Sequence, residues 1–358
     1  MIKAHSFLLE IENYTPGKAK IGDRKAIKLS SNENALGSSK LALEAYKNHH
    51  DQVFRYADGS CELLREALGE KYNIDKERIV CGAGSDELIA FLTSAFAGVG
   101  DEIIYSQYGF LMYPISAQRV GAKAIKVEES NLKTNVDNII AAISDKTKII
   151  FIANPNNPTG SYLNKTELQK LIDNTPKNIL IVLDCAYEEF VVESDYPHGI
   201  DIVNKYENIV TTRTFSKIYG LASLRIGWCY SSKYIAEILN KVRGPFNVGG
   251  PAQVAALAAL KDDEFFDISK NYNQKWLKIL FAEFTKNPSI KTHPSIANFI
   301  LLDFGSLDNC QKANQKLLEN GFILREMGGY GLKNCLRMTI GTETENLQLL
   351  EILQKNGF

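Results

Sequence analysis

The sequence predicts an α/β protein: a large domain with a mainly parallel, helix-covered sheet, followed by a smaller α+β domain. Two observations carry this. From about residue 79, short β-branched runs alternate with amphipathic stretches of helical period. After Arg243 the texture changes to longer helical segments mixed with a few strands.

The strand-like runs are "RIVCG", "DEIIYS", "AKAIKVE", "KIIFIAN" and "NILIVLD", with two more expected at 208–216 and 225–231. Between them lie helical stretches such as "DELIAFLTSAF", where Leu88, Leu92, Ala95 and Phe96 recur on one face. Such alternation argues for a sheet covered on both sides. Beyond Gly244-Pro245, helices are expected near 250–260, 263–286 and 309–320, and strands at "NFILLDF", 323–327 and 335–340. The last helix opens at Thr342 with Glu345 three residues on, a capping box. Residues 1–30 lack a matching partner and read as an arm. The expected division is therefore arm 1–30, large domain 31–244 and small domain 245–358.

Composition narrows the function. The chain has 358 residues, 45% hydrophobic and 23% charged, with a formal net charge of −1. Such a balance gives no reason to expect nucleic acid or an anionic membrane as partner. The apolar runs are strand-length, and Glu10 interrupts the N-terminal one, so neither a spanning segment nor a signal peptide is expected. The six cysteines show no CxxC pair, and the five histidines no HExxH spacing. They read as buried thiols in a reducing compartment, with no metal site expected. Cytoplasm is the expected location.

Four stretches carry chemistry. In "CGAGSDELI" (81–89) a strand ends, Gly82 and Gly84 allow a tight turn, and a helix starts near Ser85. Backbone N–H groups there, with the Ser85 hydroxyl, suit a phosphate. A dinucleotide fingerprint is excluded because Glu87 replaces its third glycine, and no GxxxxGK[ST] stretch exists. "ANPNNPTG" (153–160) leaves its strand through two prolines, which hold Asn156 and Asn157 at a strand's carboxyl end. "ILIVLDCAYEEF" (179–190) ends an apolar strand with Asp184, with Tyr187 three residues on. A carboxylate there is costly unless paired. Finally, "TFSKIYGLASLRIG" places Lys217 among Phe215, Ile218, Tyr219 and Leu221, with Arg225 eight positions later.

One cofactor uses all four. Pyridoxal 5'-phosphate needs a lysine for its aldehyde, an acid for its ring nitrogen, a donor for its phenolate oxygen and a phosphate cradle. Lys217 supplies the amine as a Schiff base and Asp184 the acid. Asn157 and Tyr187 supply donors, and Ser85, Ser216 and Arg225 the phosphate contacts.

With "SSNENALG" (30–37), "FRYADG" (54–59) and "LRMTIGT" (336–342), these stretches resemble the fold-type I pyridoxal-phosphate aminotransferases over the whole chain. The "SNEN", "RYADG" and "REMGGYGLKNCLRMTIGT" stretches are most similar to the histidinol-phosphate aminotransferase family. The resemblance implies that Lys217 shuttles a proton between the substrate α-carbon and the cofactor. It implies that Phe110 in "YGFLMY", or else Tyr108, stacks on the pyridine ring. Tyr56 would reach the cofactor phosphate of a neighbouring subunit, making the active unit a homodimer with shared sites. Arg337 would bind the substrate carboxylate, and Arg325 with Tyr14 the substrate phosphate.

The implied activity is exchange of an amino group between histidinol phosphate and 2-oxoglutarate. An aromatic amino-acid aminotransferase is the main alternative, and a threonine-phosphate decarboxylase a more distant one. A transcription regulator on this scaffold would need a basic DNA-binding module, which the residues before "SSNENALG" do not supply.

Overall fold

The computed structural model describes residues 2–11, 17–18, 20–22 and 26–358. In chain order the strands are β1 (Ile27–Leu29), β2 (Ile79–Gly82), β3 (Glu102–Ser106), β4 (Lys123–Val127), β5 (Thr147–Ala153) and β6 (Leu180–Asp184). They continue with β7 (Ile209–Thr214), β8 (Gly227–Tyr230), β9 (Lys291–Thr292), β10 (Phe299–Asp303), β11 (Phe322–Glu326) and β12 (Cys335–Thr339).

Among the described residues these strands make two sheets. The larger has the order β2-β8-β7-β6-β5-β3-β4. Only β8 runs against its neighbours; the pairs from β7 to β4 are parallel. The mainly parallel, helix-covered sheet expected from the alternation is therefore present. Side chains explain the covering. Along β5, Ile149 and Phe151 join one core layer, while Ile150 and Ile152 join the other. A strand buried on both faces reads as a continuous apolar run, as "KIIFIAN" does.

The smaller sheet has the order β1-β11-β12-β10-β9 and is antiparallel except where β1 meets β11. Residues 27–29, at the end of the expected arm, thus belong to the small sheet, with Leu29 paired to Leu324. The larger core also continues beyond residue 244. The helix Gly250–Leu260 buries Ala252, Ala255, Ala256 and Ala259 with Leu64 and Leu68 of the helix Glu62–Tyr72. Next, the long helix Asp263–Lys286 serves both cores. Near its start Phe266 packs against Tyr219 at 5.7 Å, whereas Trp276, Leu277, Leu280 and Phe284 belong to the core under the small sheet. The final helix, Glu343–Lys355, opens with the expected capping box of Thr342 and Glu345.

Behind the carboxyl ends of β6 and β7 lies a buried ion cluster. Arg213 Nη1 donates to Glu188 at 3.1 Å, and its Nη2 donates to Glu189 at 3.0 Å. The guanidinium also lies 5.2 Å from the Tyr72 ring and 5.5 Å from that of Trp228. Burial pushes the Glu189 carboxyl up, while Arg213 and His198 outweigh burial at Glu188 and hold it down. Arg213→Ala leaves two buried carboxylates without their cation, an expected loss of about 3–5 kcal/mol. Chemical denaturation measures it, and adding Glu188→Gln with Glu189→Gln should return part of the loss.

Candidate active site

Three parallel strands deliver the chemistry to one edge of the large sheet. Ala153, Asp184 and Thr212 stand opposite one another in register at the ends of β5, β6 and β7. Backbone bonds continue the alignment into the turns: Asn154 N donates to Asp184 O at 3.0 Å, and Cys185 N to Thr212 O at 2.9 Å. Ligands of open α/β sheets bind at this edge. A cavity of about 260 Å³ lies there, lined by Ser85, Phe110, Asn157, Asp184, Tyr187, Ser216, Lys217, Arg225, Arg325 and Arg337 among others. The chain thus brings together ten of the residues singled out from the sequence.

One end of the cavity is built for an anion. Gly84, at φ +90°, precedes the helix Ser85–Phe96, whose first residues, Ser85 and Asp86, line the space. Arg225 adopts the left-handed conformation at φ +49°. Its Nη1 donates to Ser216 Oγ at 3.2 Å and its Nη2 to Asp86 at 3.0 Å. A Cβ on Gly84 would lie 2.3 Å from Arg225 Nη2, and one on Gly227 would lie 2.8 Å from Ser85 N. Glycine is what lets the guanidinium reach the helix start. The Arg225–Asp86 pair is half exposed and adds little to stability.

At the other end stand the amine and the acid. Asp184 accepts from Tyr113 Oη at 2.8 Å and from Thr212 Oγ1 at 3.1 Å, and burial pushes its carboxyl up. Tyr187 Oη accepts from Asn32 Nδ2 at 2.9 Å, and burial pushes the phenol up to about 12. Lys217 is half-buried; its Nζ donates to Ser31 O at 3.0 Å and lies 5.7 Å above the Tyr187 ring. Burial, then the nearby Arg337 charge, lowers its ammonium to about 8. The lysine is therefore an amine made available near neutral pH, not a misplaced surface charge.

The smaller sheet contributes two arginines to the cavity. Arg325 on β11 stands opposite Arg337 on β12. Arg337 is buried, donates to Ser30 O at 2.8 Å and also donates to Asn157 Oδ1. That leaves the Asn157 amide nitrogen to donate elsewhere. Phe110 lines the cavity and meets Tyr113 edge-on at 5.9 Å. Tyr108 packs instead against the cluster of Leu301, Met327, Leu332 and Cys335.

One sequence-derived residue lies elsewhere. Tyr56 is 84% exposed and stacks on Phe246 at 4.6 Å, outside the cavity of its own chain. Tyr14 lies outside the described residues. Asn32, Tyr113 and Thr212 were not singled out as site residues, yet they hold Tyr187 and Asp184 in place. Asn32 has φ +55°, a conformation that asparagine tolerates better than most residues. Its neighbourhood "SNEN" was the only available signal.

The donor set suits pyridoxal 5'-phosphate: an amine of lowered pKa, a buried carboxylate, phenol and amide donors, and an anion cradle that a Cβ would fill. Fold and site together define a class I and II aminotransferase. The family model of that description, "Aminotransferase class I and II", matches residues 24–353. The chain is 46% identical to a histidinol-phosphate aminotransferase of Paramagnetospirillum magneticum, over 97% of this chain and 96% of that protein. It is 44% identical to one from Rhodopseudomonas palustris, over 96% and 95% of the two. Within the class, the chain belongs to the histidinol-phosphate aminotransferase family. Its fold is also that of the crystal structure of histidinol-phosphate aminotransferase from Sinorhizobium meliloti in complex with pyridoxal-5'-phosphate. That match has a TM-score of 0.92 at 23% identity and covers 99% of this chain and 98% of that one.

The lowered ammonium has a direct consequence for reactivity. Only the neutral amine attacks an aldehyde, so below pH 8 the capture rate should rise about tenfold per pH unit. It should level off above about 8, whereas an ordinary lysine would continue rising towards 10.5. Borohydride trapping of pyridoxal phosphate on the cofactor-free protein, with peptide mapping of Lys217 at each pH, measures the midpoint.

Proposed function

We propose that this chain transfers an amino group between L-histidinol phosphate and 2-oxoglutarate, giving imidazole acetol phosphate and L-glutamate. The relatives of that name support the reading, at 41–46% identity over nearly the whole chain. The observation that carries it is the pair of arginines, Arg325 and Arg337, opposed across β11 and β12 beside the Lys217 amine. Two fixed guanidinium groups can hold a phosphate ester or a carboxylate bidentately. Histidinol phosphate offers its phosphate ester to such a pair, and glutamate a carboxylate.

Pyridoxal 5'-phosphate, when bound, supplies an aldehyde for an amine and a ring that accepts electrons from the substrate α-carbon. The chain's residues do the rest. Ser85, Ser216 and Arg225 bind the cofactor phosphate, with the helix start adding its backbone donors. Asp184, fixed by Tyr113 and Thr212, holds its charge against a protonated ring nitrogen. Tyr187 and the Asn157 amide donate to the ring oxygen, and Phe110 covers one ring face. Lys217, poised near pH 8, would take the proton from the substrate α-carbon and return it to the cofactor's aldehyde carbon. Arg337 and Arg325 orient the substrate by its anion. A 1 Å misplacement of the α-carbon would cost about 100-fold in rate, so these contacts act on catalysis as well as affinity.

The reading includes a homodimer with shared sites. Val53, Phe54, Tyr56 and Leu63 form an exposed apolar strip beside Phe246, the sort of surface a second copy would cover. Tyr56 within it is free to reach a partner's cradle. The working compartment in this reading is the cytoplasm, where six buried free cysteines stay reduced. Among the described residues, no helix is long and apolar enough to cross a membrane.

Two experiments test this. With 2-oxoglutarate as acceptor, kcat/KM for histidinol phosphate should exceed that for tyrosine and phenylalanine. Arg325→Ala should cut the histidinol phosphate value by roughly 10- to 100-fold, the scale of a lost charge-assisted contact, and the aromatic amines less. A faster reaction with phenylalanine in the unmutated enzyme would replace this reading with an aromatic aminotransferase. For the dimer, mixing inactive Tyr56→Ala and Lys217→Ala chains should restore activity, because one site of each mixed dimer has both groups intact. Subunit exchange seen by mass without recovery sinks the shared-site arrangement.

A further inference from the structure

The stretch Gly328-Gly329-Tyr330-Gly331 marks the sequence but has no part in the chemistry above. It forms a tight 3-10 turn, Gly328–Tyr330, between two buried anchors, Met327 and Leu332. Tyr330 N donates to Met327 O at 3.0 Å, and Leu332 N to the same carbonyl at 3.2 Å. Gly331 closes the turn at φ +84°, where a glycine is at ease. The anchors pack with Leu301 and Cys335, so the backbone of the turn is fixed to the small domain.

Side chains are nearly absent from it. A Cβ at 328 would meet nothing within 4 Å, and one at 329 would touch only Leu111, at 3.7 Å. The turn therefore faces the large domain at the residue next to Phe110. It stands between two spaces: Gly328 and Gly329 line an outer cleft of about 690 Å³, while Tyr330 lines the inner cavity with Lys217 and Arg337. Arg325 lines both. Three glycines keep this rim bare and leave one aromatic ring aimed inward.

We propose that Tyr330 is a specificity-determining residue whose ring covers the imidazole of the bound amine substrate. The proposal rests on the substrate reading above. Histidinol phosphate and glutamate share an amine for the cofactor's aldehyde and an anion for the arginines; they differ in the remaining arm. A heteroaromatic arm gains from contact with a tyrosine ring beyond the area it buries. A carboxylate arm gains little, because the face of an aromatic ring carries partial negative charge. Tyr330 therefore separates the two donors at the arm, where one carries an aromatic ring and the other a carboxylate.

The test compares Tyr330→Ala and Tyr330→Phe holoenzymes in the separate half-reactions with histidinol phosphate and glutamate. Tyr330→Ala should lower kcat/KM for histidinol phosphate by roughly tenfold or more, and that for glutamate by less than about threefold. Tyr330→Phe keeps the ring and should stay within about threefold on both. Histidinol phosphate affinity, read by absorption in a Lys217→Ala background that does not turn over, should fall in parallel with the first value. Equal losses for both amines would show a structural role and overturn the proposal, as would an unchanged histidinol phosphate value. If the unmutated enzyme prefers phenylalanine, the substrate reading falls by itself. The specificity role then stands only if Tyr330→Ala cuts phenylalanine selectively against glutamate.

Discussion

The in-register pairing of β5, β6 and β7 is the constraint on which the site depends. Because Ala153, Asp184 and Thr212 are Cα partners, the turn bearing Asn157, the acid at 184 and the segment leading to Lys217 leave the sheet side by side. A slip of one residue in β6 would turn Asp184 to the opposite face of the sheet. The register is carried past the strand ends by backbone bonds from Asn154 N to Asp184 O and from Cys185 N to Thr212 O.

Electrostatics then distinguishes groups that the fold has gathered. Burial acts in opposite senses on an acid and on a base: it raises Asp184 and Tyr187 and lowers Lys217. Hydrogen bonds from Tyr113 and Thr212 offset that burial at Asp184, and so does any cation placed beside it. Arg213, one strand face away, balances Glu188 and Glu189, so the turn after β6 carries two carboxylates without opening to water.

Much of this could be read in the sequence, and for a physical reason. Chemistry that needs a strand end, a proline-held turn or a helix start leaves local marks, as "NPNNPTG", "ILIVLD" and "GAGSDELI" show. Contacts that depend on long-range closure leave none. Asn32 meets Tyr187 across 155 residues, and Tyr113 meets Asp184 across 71, so neither spacing is visible in a linear reading. Likewise, β1 reads as unpartnered because its partner lies about three hundred residues away, at Phe322–Leu324. The helix Gly250–Leu260 offers an alanine-rich surface, and only the assembled core shows which sheet it serves.

In the proposed reading, the placement of Arg337 joins substrate capture to proton chemistry. Its charge is the second cause, after burial, of the low basicity of Lys217. An anion that settles on the guanidinium screens that charge from the amine. Capture at one end therefore makes the base at the other end stronger, and a protonated amine makes the arginine a better host by the same amount, as reciprocity requires. On that reading, each arriving substrate brings part of the adjustment that its own deprotonation uses.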